Sequence, residues 1–173
     1  MSGLVVWFTG LPSSGKTTLA RETLGVLRAA GESCCLLDGD EVRECLHPPL
    51  GYGPESRTNF YEMLASLAGL LSGQGLVVLV AATTHRRADR DTARRLADRR
   101  FMEVFVDTPL EVCEKRDAKG LYAKARAGEI QNFPGIQEAY EFPGEEVLQV
   151  SSDLPQEAER LVEEIRLIRY PNG

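Results

Sequence analysis

Gly10-Leu11-Pro12-Ser13-Ser14-Gly15-Lys16-Thr17, written GLPSSGKT, follows the apolar run Leu4–Thr9 and opens a stretch with helical periodicity. It fits the pattern GxxxxGK[ST]. Chance agreement at its four fixed positions is on the order of one in a hundred and fifty for a chain of this size and average composition. The strand before it and the helix after it are the placement that a phosphate cradle requires. Gly10 and Gly15 permit backbone conformations that turn successive N–H groups toward an anion. The helix beginning near Lys16 adds the positive end of its dipole. The spacing therefore sets Gly10, Pro12, Ser13, Ser14, Gly15, Lys16, Thr17 and Thr18 around the phosphates of a nucleoside triphosphate, expected to be ATP with Mg²⁺. Lys16 reaches the β- and γ-phosphates and the Thr17 hydroxyl is placed to ligate the metal. Thr18 also reads as a residue of helix packing.

Outward from this loop, apolar runs alternate with helical ones. Strands are expected at Leu4–Thr9, 33–37, 76–82, 102–107 and 147–150, with helices at about 16–29, 56–72, 87–99, 109–117 and 156–168. Such alternation predicts an α/β fold of three layers, a central parallel sheet covered by helices on both faces. The strands are continuous Val- and Leu-rich runs, as in sheets buried on both sides. Gly31, Gly73 and Gly75 read as helix ends, and Pro109 and Pro155 as first helical turns. Between about 118 and 145 the alternation breaks into a Gly-, Lys-, Arg- and aromatic-rich insert, the kind of long loop that more often serves as a lid than as idle chain. A single domain spanning 1–173 is expected.

The chain has 173 residues, 43% hydrophobic and 27% charged, with a formal net charge of -6. That balance argues against a nucleic-acid partner bound through backbone charge. No apolar run approaches the ~18 residues of a membrane span, and the first residues lack the basic region and cleavage site of a signal peptide. Cys34, Cys35, Cys45 and Cys113 form no CxxC pair, and only His47 and His85 could join them, so a zinc site is not expected. The cysteines read as buried free thiols of a reducing, cytoplasmic compartment.

The second strand ends in Asp38-Gly39-Asp40, and the third runs into Thr83-Thr84-His85 with no acid. Both ends fall on the carboxyl edge of a parallel sheet, where ligands bind. Asp38 and Asp40 can divide the work: one orients hydrated Mg²⁺, the other accepts a proton from an attacking hydroxyl. A plain Asp-Gly helix cap is the alternative. Lacking the NKxD motif of guanine readers, the chain fits a small-molecule kinase better than a switch protein.

The ordered segments GLPSSGKT, DGDEVR, LGYGPESR, DTPLEVCEKRDAKGLYAKARAGEI, NFPGI and YEFP resemble the adenylylsulfate kinase family of P-loop kinases over nearly the whole chain. That resemblance implies transfer of the γ-phosphoryl of MgATP to the 3′-hydroxyl of adenosine 5′-phosphosulfate, in sulfate assimilation. It implies Lys16, Asp38 and Asp40 as the catalytic group, with Thr17 and Asp38 on the metal. Arg116 and Lys119 would meet the nucleotide from a mobile lid at about 116–142. On the acceptor side it implies Asp40, Arg43, Tyr52, Arg57, Phe60, Thr83, Thr84, Lys119 and Phe133. Arg43 and Arg57 would hold the phosphosulfate, and the rings of Tyr52 and Phe133 would sandwich the adenine. Read without the resemblance, those two rings suit a core equally well. A homodimer is also implied, and Leu64, Leu67, Leu70 and Leu71 offer apolar surface that core packing explains equally.

Three departures stand out. Phe60 and Glu62 occupy places where the family shows Asn and Arg. The family's Ile-Ser-Pro-Tyr-Arg turn is Thr83-Thr84-His85-Arg86-Arg87, and its Thr-Gly-Ile is Pro134-Gly135-Ile136. Thr84 takes the place of a serine that some members phosphorylate. A related kinase acting on a different nucleotide conjugate is therefore the alternative. The arginines from Arg86 to Arg100 read as a solvated helix face, with Arg86 and Arg87 alone near the site.

Overall fold

In the computed structural model, which describes residues 3–48, 50–97, 100–117, 119–154 and 156–171, β1 (Leu4–Thr9) is buried at every position. A strand with no wet face must be covered on both sides. It pairs in parallel with β3 (Val77–Ala81) and β4 (Phe101–Val106). Beyond these lie β2 (Cys34–Asp38) and β5 (Leu148–Val150), giving the order β2-β3-β1-β4-β5.

The two-residue side-chain period divides β1 between two cores. Leu4, Val6 and Phe8 pack with α1 (Lys16–Ala29) and α7 (Glu157–Arg169), through Leu19, Leu27, Leu161 and Ile165. Val5 and Trp7 pack with α3 (Pro54–Gly73) and α4 (Arg87–Ala97), through Phe60, Leu64, Ala68, Ala93 and Ala97. The residues facing α3 on α4 are small, and a Cβ on Gly69 would stand 3.0 Å from the Leu96 carbonyl oxygen. That glycine is what lets the two helices close.

The expected strands and helices lie within one or two residues of those observed, the normal uncertainty of element ends. The short helix that the Asp-Gly cap implied is α2 (Gly39–Glu44), whereas α6 (Leu121–Arg126), within the supposedly irregular insert, was not foreseen. With α5 (Leu110–Arg116), α6 covers a third cluster built from Leu11, Phe105, Cys113, Tyr122, Ala125, Phe133 and Tyr140. Pro109 caps α5, whereas Pro155, Asp98 and Arg99 lie outside the described residues. Of the cysteines only Cys113 is buried; Cys34 and Cys35 are half-buried and Cys45 is exposed, and all four are free. β2 is an edge strand, so its thiols meet one core and a partly open flank. Among the described residues no helix is long and apolar enough to cross a membrane.

The arginine-rich helix is not a uniformly solvated face. Arg90 is 2% exposed and its Nε stands 3.0 Å from Glu103 Oε1 in the middle of β4. Its two other nitrogens donate to the carbonyl oxygens of Thr84 (2.9 Å) and Glu141 (2.6 Å). One side chain thereby ties the β3–α4 turn and the end of the insert to the sheet. Arg90→Ala leaves Glu103 buried and supported only by half-exposed Arg94, at 3.1 Å. Such a loss costs about 3–5 kcal/mol, or on the order of 10 °C in Tm at this size. Paired Arg90→Leu and Glu103→Leu should recover most of it in thermal melts.

Candidate functional site

All five strands end on one edge, and the loops there carry the chemistry. The loop after β1 keeps its shape through Gly10 at φ 149° and Gly15 at φ 99°. A Cβ on Gly10 would lie 2.7 Å from the Val106 carbonyl oxygen, and one on Gly15 would lie 2.5 Å from Ser152 Cβ. Ser13 is also left-handed, at φ 61°. Ser14 is buried and its N–H donates to the Leu11 carbonyl oxygen at 3.1 Å, closing the turn. Pro12 lies half-buried, its carbonyl oxygen accepting from the Tyr122 hydroxyl at 2.9 Å, which fastens α6 to the loop. Thr18 is exposed on α1.

Lys16 folds back over this loop. Its Nζ donates to the carbonyl oxygens of Gly10 (3.0 Å) and Leu11 (2.7 Å). Burial pushes the amine down to about 8, against the attraction of Asp40 and Asp38. A buried cation held only by carbonyl oxygens and nearby acids is placed to meet an anion.

Asp38 answers the choice between cap and site with one oxygen for each. Oδ1 accepts from the N–H groups of Asp40 (3.0 Å) and Glu41 (3.4 Å) as the N-cap of α2. Oδ2 accepts from the Thr17 hydroxyl at 2.5 Å. Gly39 between the acids permits this, because a Cβ there would stand 3.0 Å from the Ala81 carbonyl oxygen. Asp40 projects outward and pairs with Lys119 Nζ at 2.7 Å, joining the insert to the end of β2. Arg116 reaches the loop from α5, donating to Ser14 O (3.3 Å) and Ser152 Oγ (3.1 Å) and pairing with Asp153. Thus Lys16, Thr17, Asp38, Asp40, Arg116 and Lys119 lie at one sheet edge.

The far side of this edge is arranged differently from expectation. Arg43 is buried and lies between two rings, its guanidinium carbon 3.8 Å from the Phe60 centroid and 4.6 Å from that of Tyr52. It also donates to the carbonyl oxygens of Leu50 and Gly51. Phe60 therefore gives Arg43 a platform where an amide was expected. Glu62, two residues on and so about 200° round the helix, is exposed. Tyr52 is 59% exposed, whereas Phe133 is 5% exposed and packs edge-on against Tyr122 at 4.9 Å. Tyr52 and Phe133 thus differ, one open to solvent and the other packed in the cluster beneath the insert.

Thr84 is fully buried at φ 39°, its hydroxyl accepting from Trp7 Nε1 at 2.9 Å and donating to the Ala82 carbonyl oxygen at 3.2 Å. The backbone carbonyl of Thr83 is engaged there, accepting from Thr9 Oγ1. In this arrangement the Thr84 hydroxyl braces the turn and does not face a ligand. The sequence reading also passed over Glu138, which pairs with Arg86 at 3.2 Å and stands 3.7 Å from His85 Nε2. Arg86 and Glu138 are 52 positions apart, and no local pattern announces them.

A parallel sheet with a phosphate loop after its central strand β1, and acids at the end of the edge strand β2, defines a P-loop nucleotide kinase. Residues 2–151 match the family described as Adenylylsulphate kinase, and the chain belongs to that family. It is 51% identical over 142 residues to the adenylyl-sulfate kinase of Klebsiella pneumoniae subsp. pneumoniae, covering 82% of this chain and 71% of that one. The Escherichia coli (strain K12 / DH10B) enzyme of the same name is 49% identical over the same shares. The Mycobacterium tuberculosis APS kinase CysC, solved in complex with AMPPNP and APS, is 40% identical. It superposes with a TM-score of 0.90, covering 95% of this chain and 98% of that one.

Proposed function

We propose that this chain transfers the γ-phosphoryl group of ATP to the 3′-hydroxyl of adenosine 5′-phosphosulfate. The observation that carries the reading is the convergence of Lys16, the Thr17–Asp38 pair and the outward Asp40 at one sheet edge. It is supported by the likeness to a kinase whose structure holds AMPPNP and APS. Arg116 and Lys119 flank the transferred group, where cations stabilise charge on the equatorial oxygens. Asp40 takes the proton of the attacking hydroxyl. Arg43 and Arg57 hold the phosphosulfate, because a planar guanidinium matches a spread anion. Tyr52 and Phe133 hold the base, with Tyr52 the more exposed ring of the two.

The donor set suits Mg²⁺: the Thr17 hydroxyl and one Asp38 carboxylate oxygen lie together. A hard cation that keeps most of its waters needs few protein ligands beside phosphate oxygens. Among the described residues no group of three or more His, Cys, Asp or Glu could hold a metal, which fits a metal brought with nucleotide. Bound there, Mg²⁺ would offset charge on the β- and γ-phosphates. Residues 1–173 act as one domain with a lid at about 116–142, working in the cytoplasm as a homodimer.

The test is ATP-dependent conversion of adenosine 5′-phosphosulfate to its 3′-phosphate, followed by chromatography. Turnover at micromolar acceptor is expected; a folded, ATP-binding preparation without turnover rejects the reading. The Arg43–Phe60 stack favours a second reading, a changed acceptor, which a panel of nucleotide conjugates in the same assay distinguishes.

A further inference from the structure

Two buried polar groups on the acceptor side, Arg57 and His85, have unmade hydrogen bonds among the described residues. Arg57 is 7% exposed, and its Nη1 has no hydrogen-bond partner among the described residues. His85 is 2% exposed, and neither ring nitrogen has a hydrogen-bond partner among the described residues. An unmade bond on a buried polar group is destabilising, and more so where the group is charged. Two buried groups left in that state, close enough for Arg57 to act on His85 electrostatically, point to a ligand.

The charge around the pair selects an anion. Arg57 and Arg86 both press on His85, and Arg43 and Arg86 both press on Arg57. Burial and these cations hold the imidazole below its ordinary value, so near neutral pH it is an uncharged ring with one N–H to give. The carboxylate facing it is Glu138, which lies within the insert. It stands 3.7 Å from His85 Nε2 and 3.2 Å from Arg86. The remaining nearby acid, Asp89, accepts from the Thr58 hydroxyl at 3.1 Å.

We infer that His85 is a specificity-determining residue that donates a hydrogen bond to the anionic end of the acceptor beside Arg57, and that Glu138 holds this seat until the acceptor displaces it. In place of the rigid proline of the resembling turn, this chain has a hydrogen-bond donor, and the insert carries the carboxylate that competes for it. This rests on the proposed phosphoryl transfer only for the name of the acceptor; the anion seat itself stands on Arg57, His85 and Glu138.

Two measurements separate the inference from that reading. Steady-state kinetics of His85→Ala should show the KM for adenosine 5′-phosphosulfate raised about 10-fold or more, the loss of one hydrogen bond to a charged group. The KM for ATP should stay within about twofold. His85→Gln, which restores a donor, should recover much of the loss, and Glu138→Gln should lower the acceptor KM severalfold. The second measurement needs no turnover. His85 and His47 are the only histidines, so imidazole ¹H–¹⁵N resonances of the full chain resolve one from the other.

Added adenosine 5′-phosphosulfate, or inorganic sulfate alone, should move His85 saturably and leave exposed His47 in place. Sulfate should bind more tightly in Glu138→Gln. Turnover with an unmoved His85 and an unchanged acceptor KM overturns the inference and leaves the function intact. A His85 that responds to sulfate in a chain that ignores adenosine 5′-phosphosulfate rejects the function and keeps the anion seat. A His85 that responds to neither probe, or a His85→Ala variant that shifts both KM values together, overturns the inference.

Discussion

Asp40→Asn is expected to lower kcat by about 10²–10⁴-fold, the usual contribution of a positioned proton acceptor, with little change in the KM for ATP. Asp40 is exposed at the start of α2, and its backbone N–H is fixed by Asp38 Oδ1 at 3.0 Å. The amide replacement keeps that bond, the helix and the side-chain shape. What it removes is the capacity to take a proton and the charge that draws Lys119 inward at 2.7 Å. Lys119→Ala separates these two losses, since it frees Asp40 without neutralising it. A smaller decrease is expected there, of about 10²-fold, from the lost cation near the transferred group. Single-turnover measurements with labelled ATP and saturating acceptor isolate the chemical step. If Asp40→Asn keeps more than a tenth of the wild-type rate, proton acceptance by Asp40 is excluded, because no other carboxylate was altered.

The nucleotide side of this edge was legible because its determinants are local. GLPSSGKT carries its strand, its turn and its helix start in consecutive residues, and DGD carries a cap, a close approach and an outward acid in three. The apolar runs announced the strands because both faces of this sheet are buried. Arg90 was misread for a physical reason: an arginine at helical spacing looks solvated until its partner is known. That partner left a signal, since Glu103 is the lone charge inside the strand run Phe101–Val106. A buried carboxylate requires a cation nearby. α6 was hidden because Tyr122 and Ala125, its two buried residues, give too little apolar period to count. The acceptor side resisted reading because it is assembled from distant segments. Neither the stacking of Arg43 on Phe60 nor the facing of Glu138 and His85 follows from spacing, and the burial of Phe133 depends on where the insert packs.

Lys16→Ala is expected to reduce kcat/KM for ATP by about 10³-fold, the loss of a charged donor to the β–γ bridge. Its state in the free protein adds a pH signature. Burial places its amine at about 8 when only the carbonyl oxygens of Gly10 and Leu11 hold it. In the unfolded chain the ordinary value is 10.5. The cost of burying the charge is therefore fully present below about 8 and fades as pH rises toward 10.5, where both states are neutral. Nucleotide reverses the balance, because phosphate oxygens favour the protonated amine and raise its value again. Above pH 8, then, binding must draw a proton from solution. Calorimetry of nucleotide binding at pH 8.5, in buffers of different ionisation heat, should report net uptake of up to about one proton. At pH 6.5 the amine is already charged and its contribution should vanish. In Lys16→Ala the pH 8.5 uptake should be absent while weakened binding is still measurable at high nucleotide. Equal uptake in wild type and variant would assign the proton to another group and remove Lys16 as the cation that answers the phosphates.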